Sequence, residues 1–114
     1  MMTATGITTK TGATMTGANK NAHSMLKQAQ RAASLFAQIS DPTRLQIILM
    51  LSEGERHVGS LIESLNQNQP VVTHHLALLR YGNLIVPRRQ GKQIFYALTE
   101  AGKQLASIIK NVIG

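Results

Sequence analysis

Two short apolar stripes at helical spacing, separated by a brief polar segment, are the feature that most restricts the fold of this chain. The stripes are Val58, Leu61, Ile62 and Leu65, and then Val72, Leu76 and Leu79. Each repeats at the spacing of one helix face. Asn66–Asn68 separates them, Asn68 is a favourable N-cap, and Gly82 follows the second stripe. The pattern predicts two helices, at 58–65 and 69–81, joined by a tight turn.

Helical periodicity predicts three further helices around this pair. The first runs from about Ser24 to Gln38, where the apolar residues are Met25, Ala29, Ala32, Phe36 and Ile39. The second is 42–52, which is apolar nearly all round and is therefore expected to be the central buried helix. Asp41 is its predicted N-cap, and Pro42 suits the first helical position, where a backbone N–H would have no partner within the helix. The last is 100–112, capped by Thr99.

Between residues 84 and 98 the apolar period changes from that of a helix to that of a strand. Segments 84–89 and 92–98 flank Gly91, and apolar residues alternate along the second segment, as expected for a hairpin. The predicted fold class is mainly α with a small β-hairpin (α+β). A helix-turn-helix pair followed at once by a hairpin is a winged helix-turn-helix, here with five helices and a two-stranded wing.

The charge balance favours a polyanionic partner. Twelve Lys and Arg against five Asp and Glu give a net charge of +7, although a basic protein without such a partner is the alternative. The chain has no cysteine, which excludes disulfides and thiolate metal sites. No apolar stretch is long enough for a signal peptide or a membrane span, so we expect a cytoplasmic protein with no membrane partner.

The composition also divides the chain. Residues 1–22 are rich in Thr, Gly and Ala without apolar periodicity, and predict a disordered N-terminal arm. Residues 23–114 form the predicted winged helix-turn-helix domain for DNA binding and dimerisation. Whether the arm touches DNA stays open.

The helix at 69–81 and the wing carry the residue types that DNA recognition requires. A helix of this size fits a major groove, and the outward side chains of its first half are polar or small. We assign base reading to Gln69, Pro70, Thr73 and His74, and contacts with phosphates and the minor groove to Arg88, Arg89, Gln90, Lys92 and Gln93. A solvated basic turn is the alternative for the wing. His75 is expected to be structural.

Three blocks closely resemble the ArsR/SmtB-type repressors of bacteria. They are SDPTRLQIILML, VTHHLALLRYGNLI and RRQGKQIFYALTEAG, in the order and spacing of that family. The resemblance implies a homodimer, packed through the first and last helices, that binds double-stranded DNA at an operator with dyad symmetry and blocks transcription. It also places Gln69, Thr73 and His74 at positions that read DNA. The turn departs from the family, which usually has Gly-Leu-Ser where this chain has Asn66–Asn68.

The dimer interface is predicted from both ends of the domain. The last helix has an apolar stripe that a monomer with so small a core would leave exposed, so a second chain is expected to cover it. The alternative is that the stripe packs against its own domain. The interface residues are Leu105, Ile108, Ile109 and Val112, with Met25 and Ala29 of the first helix.

No catalytic, metal or cofactor site is predicted. His57 stands alone, and His74 and His75 diverge because they are adjacent on a helix. The sequence has no Ser–His–acid spacing and no paired carboxylates, so an enzyme is not expected. The inducer is unknown. A non-specific architectural or protein-interaction module is the alternative function.

Overall fold

The structure, a computed structural model, describes residues 12–114, and their side chains from residue 19 onward. The described residues divide into two units between Ser34 and Leu35. Helix α1, Gly12–Gln38, supplies the described part of the first unit and the start of the second.

Helix α1 begins earlier than the sequence predicts. The helix includes residues 12–22, for which the sequence predicts a disordered arm, while residues 1–11 of that predicted arm lie outside the described residues. The side chains at 19–31 are all exposed. Apolar periodicity reports burial rather than helicity, and a helix that has already nucleated extends at little further cost. An exposed extension of this kind therefore leaves no periodic signal.

The second unit contains the predicted helix-turn-helix and a sheet. Helix α2 is Pro42–Leu51, α3 is Val58–Leu65, α4 is Gln69–Tyr81 and α5 is Glu100–Ile113. The strands are β1, Arg56–His57, β2, Ile85–Gln90, and β3, Gln93–Leu98. The five predicted helices are confirmed.

The sheet has three strands instead of the predicted two. Its order is β1-β3-β2, and both pairings are antiparallel. In β1, Arg56 pairs with Tyr96 and His57 with Phe95. A strand of two residues is too short to show an alternating pattern, so no sequence signal predicts that this link between helices joins the sheet.

Side-chain caps fix where the helices begin. Asp41 accepts a hydrogen bond from the amide of Arg44 at 3.0 Å, and Asn68 accepts one from the amide of Val71 at 3.1 Å, as predicted. Thr99 caps α5 in the same way. The N-cap of helix α3 is His57, which the sequence did not predict. Its Nδ1 atom accepts a hydrogen bond from the amide of Gly59 at 3.1 Å.

The core lies where α2, α3, α4 and the start of β2 converge. Its fully enclosed side chains are Ile47, Ile48, Leu61, Val72, Leu79, Leu84 and Ile85. Leu105 also belongs to this core, with only 6% of its surface exposed, so its assignment to the dimer interface is wrong. The reason is Gly102, which has no side chain and lets α5 approach the carbonyl of Leu84. No helix within residues 12–114 is long and apolar enough to cross a membrane.

Candidate nucleic-acid interface

Helix α4 presents two chemically different sides. Val72, Leu76 and Leu79 are buried in the core. The predicted base-reading residues, Gln69, Pro70, Thr73 and His74, are all exposed on the other side. The predicted outward position is therefore confirmed for each of them, since positions three and four apart share one side of a helix. Their role in base reading stays a prediction.

The start of α4 is tied to the start of α2. Gln67, in the turn before α4, donates a hydrogen bond from Nε2 to the hydroxyl of Thr43 at 3.0 Å. Arg44 donates from Nε to the carbonyl of Gln38, and its Nη1 lies 3.3 Å from Nδ1 of His75. The His75 side chain is only 13% exposed, so its predicted structural role agrees with the structure. These contacts hold α4 in a fixed orientation, as a helix that reads DNA requires.

The wing is the β2–β3 hairpin, and its two consecutive arginines lie on opposite faces of the sheet. Arg88 pairs across the strands with Phe95, and Arg89 with Ile94. Because side chains alternate along a strand, each arginine shares a face with its cross-strand neighbour.

Arg88 already has an anionic partner within the chain. Its Nη2 lies 2.6 Å from Oε1 of Glu55 and its Nε 2.9 Å from Oε2, while Nη1 donates to Gln90 and the guanidinium lies 5.0 Å from the ring centre of Phe95. This hydrogen bonding lowers the pKa of Glu55 and raises the pKa of Arg88. Arg88 therefore links the wing to the segment before β1, and its assignment to phosphate binding stays a prediction.

The other wing residues remain available. Arg89, Lys92 and Gln93 are exposed, and Gly91 has the positive φ of 63° that the tight turn requires. Gln90 is exposed but bonded to Arg88. Within the part of the chain that the structure describes, no carboxylate forms a salt bridge with Arg89 or Lys92.

The structure adds three residues that the sequence analysis missed. Arg80 and Tyr81, in the last turn of α4, are exposed, and Tyr96 of β3 is half-buried beside them. Arg80 continues the outward stripe of Thr73, which was a usable signal. The proximity of Arg80 to Tyr96 depends on how the hairpin packs against α4, and no local sequence pattern predicts this packing.

In the described part of the chain, the histidines do not cluster with enough acidic side chains to form a metal site. Among the residues whose side chains are described, no three His, Asp or Glu side chains come together to hold an ion. The ring centres of His74 and His75 are 6.1 Å apart, and His57 is occupied as a helix cap. The absence of a metal stays a prediction.

The fold and this surface define a winged helix-turn-helix protein with a basic, acid-free recognition side. The family model described as bacterial regulatory protein, arsR family, matches residues 41–85. The chain is 42% identical over 77 residues to the biofilm growth-associated repressor of Xylella fastidiosa, covering 68% of each chain. It is 48% identical over 66 residues to the arsenical resistance operon repressor of Escherichia coli, covering 57% of this chain and 56% of that one.

A solved structure has a fold similar to that of this chain. Reduced HlyU from Vibrio cholerae superposes with a TM-score of 0.73 at 30% identity, over 78% of this chain and 95% of that chain. HlyU of this species is named a transcriptional activator. The chain belongs to the arsR family of bacterial regulatory proteins. It is a DNA-binding transcriptional regulator and not an enzyme, which confirms the prediction from sequence.

Proposed function

We propose that this regulator represses transcription by binding, as a homodimer, to an operator with dyad symmetry. The observation that carries the proposal is the exposed polar side of α4, which stands beside the cations of the wing with no acidic residue between Glu63 and Glu100. Two similar proteins are named repressors. A repressor of this kind acts where the chromosome is, in the bacterial cytoplasm.

The dimensions of α4 suit the major groove. The groove is about 12 Å wide and accepts one helix, whose N-terminal residues face the base edges. The Gln69 amide can pair with adenine through two hydrogen bonds, Thr73 and His74 can donate or accept, and Pro70 can pack on a thymine methyl group. These side chains would supply the sequence preference.

Dimerisation rests on apolar side chains that the chain leaves exposed. In the first unit Met25 is 66% exposed, and Ala29 is exposed on the same helix. In the second unit α5 exposes Ile108 at 55% and Val112 at 78%, while Ile109 is half-buried. A second copy that covers such faces would present two copies of α4 to the DNA, and two-fold symmetry in the protein demands a dyad in the operator.

The test is selection of bound fragments from the source genome, followed by competition with random DNA. We expect fragments that share a dyad-symmetric site and resist a large excess of random duplex. A Gln69→Ala/His74→Ala double variant should lose this preference, by about 1–3 kcal/mol for each lost base contact, and retain affinity for random DNA. Equal competition by random DNA would instead support a non-specific architectural protein.

The direction of regulation needs its own measurement. Transcription in vitro from a promoter that carries the selected site should fall when the protein is added. A Gln69→Ala/His74→Ala control should leave transcript levels unchanged. A rise in transcript would identify an activator and overturn the repressor assignment.

A further inference from the structure

A shallow cleft lies between α4 and the wing, away from the wing tip, and among the base-reading residues Thr73 alone lines it. Two adjoining depressions form it, and both are lined by Arg80 and Tyr96. The depression nearer α4 also includes Thr73. The depression nearer the wing also includes Arg89.

The charge in this cleft has one sign. Arg80 and Arg89 both line its wing side, and no carboxylate in the described residues forms a salt bridge with either of them. Arg88, which directly precedes Arg89, lies on the opposite face of the sheet and is bound there by Glu55. Two guanidinium groups that share a cleft without a counter-charge repel each other, so the free energy of the cleft falls when an anion enters.

Tyr96 adds a fixed neutral donor. Its ring is half-buried against the core, and its strand position is set by pairing with Pro87 on one side and Arg56 on the other. Tyr96 is only partly buried, and its hydroxyl takes part in none of the side-chain hydrogen bonds among the described residues. A phenol hydroxyl with two arginines around it matches the donors that proteins use for phosphate oxygens.

We infer that Arg80, Arg89 and Tyr96 together bind one phosphate of the DNA backbone. The inference rests on the proposed function, because the cleft separates the helix assigned to the major groove from the wing assigned to the minor groove. The sugar-phosphate strand that divides these grooves must pass between the two elements. The site therefore fixes the protein's register on the duplex without reading sequence.

The test measures the salt dependence of binding to a fluorescein-labelled duplex of random sequence, by anisotropy between about 50 and 200 mM KCl, the range over which such affinities fall steeply. Each neutralised phosphate contributes about 0.9 to the slope of log K against log salt concentration. The Arg80→Gln/Arg89→Gln double variant should lose about 0.9 from this slope, because both side chains serve one phosphate. A loss of about 1.8 would show two independent phosphates and overturn the single site.

Tyr96→Phe removes a donor but no charge. We expect affinity to fall about ten- to hundredfold, as for one lost hydrogen bond to a charged oxygen, with the slope unchanged. An affinity equal to that of the parent protein would remove Tyr96 from the site.

One control separates this site from general charge loss. Lys103→Gln removes one positive charge from α5 and should leave the slope of the parent. If Lys103→Gln lowers the slope as much as the double arginine variant, the effect is global charge and the inference fails.

The inference and the proposed function fail differently. An unchanged slope in the double arginine variant, with a salt-dependent parent, overturns only the phosphate site. A parent that binds random duplex through these arginines but selects no operator retains the site and loses the repressor. A parent that binds no duplex overturns both.

Discussion

Replacing Gly102 by alanine should destabilise this protein, although alanine is the better helix former. A Cβ atom built on Gly102 lies within a forbidden distance of the Leu84 carbonyl oxygen, and that oxygen already accepts a hydrogen bond from the amide of Thr99 at 3.0 Å. The obstacle is backbone and cannot rotate away, so α5 must move from the start of β2.

The size of the effect follows from three contributions. Overpacking against a rigid neighbour costs about 3 kcal/mol at the upper end of its usual range. Loss of the Thr99–Leu84 hydrogen bond costs about 1 kcal/mol more, and helix propensity returns about 1 kcal/mol in favour of alanine. The free energy of unfolding should therefore fall by about 3 kcal/mol.

Urea unfolding followed by circular dichroism measures this change, with all samples at one protomer concentration because a dimer's stability depends on it. Ser107→Ala, at an exposed position one turn and a half further along α5, is the matched control and should stay within about 0.5 kcal/mol of the parent. A Gly102→Ala variant that unfolds at the same or a higher urea concentration than the parent would refute the packing argument.

Three further outcomes are expected. Leu79→Ala removes a fully buried side chain of α4 and should lower the free energy of unfolding by about 2–5 kcal/mol in the same urea assay. The hydrogen bond from the Arg44 amide lowers the pKa of Asp41, so this carboxylate stabilises the fold above its unfolded pKa and the gain is lost as pH falls through the folded pKa. Asp41→Asn keeps a cap, and should therefore lose less stability than the parent on acidification from about pH 5 to pH 2, measured by thermal unfolding. Ile108→Glu/Val112→Glu places charges on the exposed face of α5 and should yield monomers in light scattering, whereas a persistent dimer would exclude this face.

The elements that the sequence predicted well are those encoded within a few residues. The caps by Asp41, Asn68 and Thr99 act on amides three residues further along the chain, and the bounds of α3 and α4 agree with the apolar stripes. Both signals are local, because a cap and a helical period are complete within one or two turns. The exposed polar side of α4 followed from the same period.

The tertiary structure alone decided which neighbours these local elements meet. Arg88 and Arg89 are equivalent in the sequence, yet Glu55, distant in the chain, binds one of them, while the other shares a cleft with Arg80. In the sequence, Leu105 is one member of an apolar stripe like the others. In the structure it is buried in the core, because Gly102 lets α5 approach closely. Periodicity assigns a side chain to a face, but only the packing of distant segments determines whether that face meets the core, a counter-charge or solvent.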